Sequence, residues 1–115
     1  DLTPIRRHLH EATDALENAT MWILTHGAED PNQALAGATP YLRLFGVVAG
    51  GWVMARQALA ATALLDAGEG DADFLRAKVT TACFYAEQLL PEALGLVGPV
   101  TAGAAGLFAI EPKYL

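Results

Sequence analysis

The stretch YLRLFGVVAGGWVMARQALAATALL, residues 41–65, decides the fold. It is the most apolar run in the chain and long enough to suggest a membrane span. Two arginines argue otherwise. Between Arg43 and Arg56 the uncharged run, Leu44 to Ala55, is 12 residues, whereas a bilayer core needs about 20. An arginine near a helix centre adds about 3 kcal/mol to insertion. No membrane span is expected. A run that is apolar on every side suits the central helix of a bundle, covered all round.

Gly46, Gly50 and Gly51 sit in the middle of that run. Gly46 and Gly50 are four apart and share a helix face. All three are expected at close helix packing, where another backbone approaches and offsets the cost of glycine, up to about 1 kcal/mol each. A phosphate cradle would need a strand before the glycines and a helix starting at them. These lie inside a helix, where the amide hydrogens are already used.

Outward from this stretch the pattern stays helical. Thr3-Pro4 opens a first helix as N-cap and first turn. Ile5, Leu9, Ala12, Leu16, Ala19 and Ile23 then recur in steps of four and three, with Gly27 in the C-cap position. Asp30 caps a short helix through Ala34, Leu35 and Ala38, which Gly37 and Pro40 break or kink. Thr39-Pro40 repeats the opening signal and starts the central helix; one helix kinked at Pro40 is the rival reading. DAGEGDAD is a turn in which Asp71 caps the next helix; it lacks the ligand spacing of a calcium loop. Leu75, Val79, Ala82, Ala86, Leu89, Ala93, Leu96 and Val100 form the last stripe, with Pro91 expected to bend that helix without ending it. A short helix through Ala104 and Phe108 follows. The prediction is all-α: an up-and-down bundle of about four helices, long ones near 4–26, 40–66 and 71–97, with kinks at Pro40 and Pro91.

The 115 residues suit one domain, 1–115. Hydrophobic residues make up 53% and glycine adds 11 positions, a richer share than usual, which points to apolar surface kept for a partner. Net charge is −6 with no Lys/Arg stripe, so a nucleic-acid partner is not expected. One cysteine, Cys83, fits a reducing cytoplasm and a buried, inert thiol. The chain opens at Asp1, with neither methionine nor a charged-then-apolar leader, and reads as a piece of a longer protein.

Little in the chain suggests chemistry. His8 and Glu11 share a helix face but have no second pair to complete a bundle metal site, and His26 suits a helix end. Glu87 is the most tempting carboxylate; an exposed role, or pairing with an arginine such as Arg43 or Arg56, is the expected use. No nucleophile, base and orienting group can be assembled, so no catalytic, cofactor-binding or metal residue is assigned. Tyr41, Arg43, Trp52, Arg56 and Tyr85 are candidates for contact with a partner domain, where aromatics and arginine are enriched.

Two segments carry a family likeness: ATPYLRLFGVVAGGWVMARQAL and KVTTACFYAEQLLPEALGLVGPVTAGAAGLFAI. Together they resemble the extra C-terminal domain that follows the catalytic core in some bacterial acyl-CoA dehydrogenases. The resemblance implies a parent flavoenzyme that oxidises acyl-CoA to enoyl-CoA with FAD. In that family a core glutamate takes the α-proton and the flavin takes a hydride from the β-carbon. No motif of that core matches a position here, so the resemblance implies no FAD and no catalysis in this piece. It implies packing on the core, with support of homo-oligomer contacts or of the acyl-CoA entrance. A free-standing helical interaction module is the alternative, and a bundle holding a small apolar ligand is a third reading.

Overall fold

The computed structural model describes residues 1–115 and contains five α-helices, two 3-10 turns and no strand. Helix α1, Thr3–Glu29, is capped at its start by Leu2, and the Asp1 carboxylate accepts from the Thr3 amide (3.0 Å) and hydroxyl (2.7 Å). Thr3 is therefore inside the helix and is not its cap. The helix also runs past Gly27 and ends at Glu29, because the Asp30 amide donates back to His26. Gly27 serves packing: a Cβ there would lie 2.9 Å from that of Ala34 in α2.

Helix α2, Pro31–Ala36, starts at Asp30, whose carboxylate accepts from the Asn32 amide. Gly37 then separates it from α3, Ala38–Ala67, so Ala38 belongs to the longer helix. Pro40 falls in the first turn of α3, where its missing N–H costs no intrahelical bond. No kink is needed there. Gly68, with φ 70°, closes α3: its amide reaches Leu65 and that of Glu69 reaches Leu64. That pair of bonds is the Schellman pattern.

Helix α4, Ala72–Gln88, is capped by Asp71, whose carboxylate accepts from the Asp73 (3.0 Å) and Phe74 (3.2 Å) amides. The expected single helix over 71–97 is corrected here. The chain breaks at Leu89–Pro91 and restarts as α5, Glu92–Thr101. Pro91 has no amide hydrogen for the ladder, and the Leu89 and Leu90 amides both turn to the Tyr85 carbonyl. At the break burial falls on Leu90 and not on the expected Leu89, while Ala93 and Val100 keep their places in the stripe. Gly95, Gly98 and Pro99 remain inside α5, and the short helix expected through Ala104 and Phe108 is a 3-10 turn, Ala105–Phe108.

Three rods result: α1, α3 and the bent pair α4–α5. Thr20 meets Tyr41, and Tyr85 meets Val47 and Gly50, so α3 runs antiparallel to both neighbours. The core joining them is small and alanine-rich, with Ile5, Ala12 and Ala19 from α1, Leu44, Val48 and Ala58 from α3, and Ala82, Ala86, Leu90, Ala93 and Val100 from α4–α5. Small side chains at these positions let the axes approach closely. The molecule measures 66 × 28 × 18 Å, and its radius of gyration of 18.7 Å exceeds the roughly 13 Å of a globule this long. Its accessible surface of 7461 Å² also exceeds the roughly 6,000 Å² typical of its mass.

Candidate docking surface

The excess surface is largely apolar. Along the outward side of α3, Leu42 is 74% exposed, Phe45 52%, Trp52 54%, Val53 55% and Leu59 60%. These positions, with Gly46, Ala49, Arg56 and Ala60, follow the three-and-four spacing of one broad helix face. The opposite side of α3 supplies the buried Leu44, Val48, Gly51, Ala58 and Ala61. The helix is apolar all round, yet only one side is covered by this chain. The expectation of full coverage is corrected: three rods leave the outer side of α3 without a fourth.

Charge distribution sets this face apart from α1 and α4, while the run 93–110 through α5 is also uncharged and exposes Leu94, Leu107, Phe108 and Ile110. On α1, Arg6, Arg7, His10, Glu11, Asp14 and Glu17 are exposed. On α4, Phe74 is exposed but lies under the Lys78 ammonium, 5.0 Å from its ring centre, amid Asp73 and Arg76. The outward face of α3 carries one ion within it, Arg56, and its guanidinium lies 5.0 Å over the Trp52 ring. A depression of about 420 Å³ beside it is lined by Thr13, Leu16, Phe45, Val48, Ala49 and Trp52.

The inner edge of α3 is locked to α4–α5 by polar contacts. Arg43 holds Glu92 through two parallel hydrogen bonds, Nε to Oε1 and Nη2 to Oε2. The guanidinium bonds keep the Glu92 carboxyl below its ordinary pKa, and the carboxylate raises that of Arg43 in turn. Arg43 is largely solvated and Glu92 about one-third exposed, so the pair fixes register more than it adds stability. The Tyr85 hydroxyl donates to the Val47 carbonyl at 2.7 Å. Desolvation first, and the nearby Glu92 carboxylate second, push its pKa up.

The glycines of α3 divide. A Cβ on Gly50 would lie 2.3 Å from the Tyr85 hydroxyl, and one on Gly51 would lie 2.6 Å from Leu90 Cδ2. Gly46 has nothing within 4 Å, so close packing there is corrected; that residue lies on the open side. The neighbours at Gly50 and Gly51 are side chains of α4–α5, not an approaching backbone.

The other candidates are dispersed. Tyr41 is half-buried, shares a 2.7 Å hydrogen bond with Thr20 and meets Phe45 edge-on at 6.2 Å. Trp52 and Arg56 lie on the open face; Arg43 and Tyr85 lie on the locked edge. Glu87 is exposed, and neither arginine pairs with it, since Arg43 takes Glu92 and Arg56 takes Trp52. Cys83 is only half-buried, against the core. His8 Nε2 accepts from the Arg7 guanidinium, His10 lies 3.5 Å from Asp14, and His26 stacks on Trp22. No three His, Cys, Asp or Glu side chains come together to hold a metal ion. Leu42, Val53 and Leu59 were not singled out by the sequence; the apolarity of residues 41–65 was the signal that could have marked them.

The result is a thin helical domain in which one side of a long apolar helix is left uncovered. The family described as Acetyl-CoA dehydrogenase C-terminal like matches residues 1–111, and the chain belongs to that family. It is similar to the 3-methylmercaptopropionyl-CoA dehydrogenase of Ruegeria pomeroyi, with 44% identity over 88 residues. Those residues are 76% of this chain and 15% of that relative, so the chain spans a small part of the protein it matches.

Proposed function

We propose that this chain is the non-catalytic C-terminal domain of an FAD-dependent acyl-CoA dehydrogenase, and that it packs on the catalytic core of that enzyme. Family membership over residues 1–111 carries the reading. The apolar surface left uncovered on α3 supports it, since a partner domain would supply the missing cover. In this reading the parent oxidises an acyl-CoA to the enoyl-CoA in the cytoplasm. The domain steadies the core, its oligomer contacts or the acyl-CoA entrance.

The residues present here do not fit a flavin dinucleotide. Gly46, Gly50 and Gly51 lie in mid-helix, so their amides are not free to hold a pyrophosphate. Arg43, the arginine beside the depression formed by Thr39, Leu42, Gly46 and Tyr85, is already engaged by Glu92. The proposal therefore assigns flavin and chemistry to the remainder of the parent chain.

The test is to purify the longer polypeptide and record its flavin spectrum during anaerobic titration with acyl-CoA thioesters. The substrate named for the relative, 3-methylmercaptopropionyl-CoA, is the first to try. Bleaching of oxidised flavin with release of enoyl-CoA is expected. A longer polypeptide that binds no flavin and oxidises no acyl-CoA overturns the proposal and leaves a helical interaction module.

A further inference from the structure

We infer that the outward face of α3 is the surface on which this domain meets the acyl-CoA dehydrogenase core, with Trp52 and Arg56 at its centre and an oxygen acceptor of the core opposite Arg56. The inference rests on the functional reading above and names the surface it leaves open. From Leu42 to Leu59 the exposed apolar stripe spans 17 residue steps, about 26 Å of helix. That is long enough to form the central strip of an interface, with neighbouring elements supplying its rim. It also has the composition of one: an apolar centre with tryptophan and arginine, residue types enriched among those that dominate binding energy. The guanidinium already lies 5.0 Å over the indole ring, so both are placed before any partner arrives.

Charge selects the occupant. Between Ala38 and Ala67 the only acid is Asp66, at the far end of the helix. A second copy meeting this face through a two-fold axis would present the same patch. It would bury Arg56 against a face with no carboxylate, and an unpaired buried charge is costly. Two copies would also bring together two chains of net charge −6. The partner must therefore be a different surface, apolar and carrying an acceptor for Arg56. The relative supplies a source: 85% of its length lies outside the matched segment.

The test uses the longer polypeptide with a photo-crosslinking benzoyl-phenylalanine in place of Trp52, and separately in place of Phe74 on the solvated side of α4. Position 52 is expected to crosslink to peptides of the dehydrogenase core at least tenfold more than position 74. Crosslinks from 52 only to α3 of a second copy, only to added phospholipid vesicles, or no more than from 74, overturn the inference. An Arg56→Glu variant adds an independent reading: it should speed tryptic separation of the domain from the core about tenfold, while its helical circular dichroism stays unchanged. Unchanged proteolysis counts against the inference. Flavin binding and acyl-CoA oxidation are measured on the same preparation. If they are present and position 52 stays free, only the assignment of the face fails; if they are absent, the functional reading fails and takes the face with it.

Discussion

Gly46 and Gly50 are one helical turn apart and have opposite surroundings. At Gly50 a methyl group collides with the Tyr85 hydroxyl and displaces it from the Val47 carbonyl. Gly50→Ala is expected to lower stability by about 1–3 kcal/mol in denaturant unfolding. Adding Tyr85→Phe should recover part of that loss, because it removes the colliding oxygen. Gly46→Ala meets open space and should be neutral or raise stability by up to about 1 kcal/mol. Equal losses at the two sites would contradict this division. The sequence shows three glycines in one run but not which way α3 is rotated, and rotation alone decides which of them is crowded.

Tyr85 also makes stability depend on pH. Its folded pKa is raised, so the folded chain keeps a proton that the unfolded phenol has already lost. The contribution is fully present below the ordinary tyrosine pKa and disappears as pH rises through the folded one. Urea midpoints should therefore fall on the alkaline side, and Tyr85→Phe should flatten that limb. An alkaline limb unchanged in the variant would rule out Tyr85 as its source.

At the scale of elements, the two aspartate caps were legible, whereas the Thr-Pro starts and the Gly27 stop were not. Asp30 and Asp71 cap α2 and α4 through bonds made within three residues, which depend only on local sequence. The two prolines show where local reading stops. Pro40 lies in a first turn and Pro91 lies in a break, and the difference is whether the preceding apolar stripe must continue straight. It does not after Ala86, where burial passes to Leu90 over Gly51 and away from Leu89. Leu90→Ala should cost about 2–5 kcal/mol, and Leu89→Ala less than about 1 kcal/mol; similar costs would contradict the burial of Leu90 in place of Leu89. The same break explains why Glu92 and not Glu87 meets Arg43. Its position follows from the angle between α4 and α5, which no spacing in the sequence records.

For the whole molecule, the bundle and its apolar excess were legible, while the uncovered face was not. Apolarity on all sides of residues 44–55 states how much cover α3 needs, not which chain provides it. Only 17 of 115 residues are buried, and none of them is polar or charged. Such a core leaves the domain near the lower limit of stability. If the chain docks on the proposed core, residues 1–115 alone are expected to melt at least about 5 °C below the same residues within the proposed parent chain, since about 1 kcal/mol of interface stabilisation shifts a domain this size by that much. Matching melting temperatures would show that the contact adds nothing to the stability of the domain.

The 18 Å short axis is less than two helix diameters, and it has a calorimetric consequence. A slab this thin exposes comparatively little new apolar surface when it unfolds, so its unfolding heat capacity increment should lie below that of an ordinary domain of equal length. Its stability curve would be shallow, and the missing curvature would reside in the seam between the slab and its partner, as a negative heat capacity change on docking.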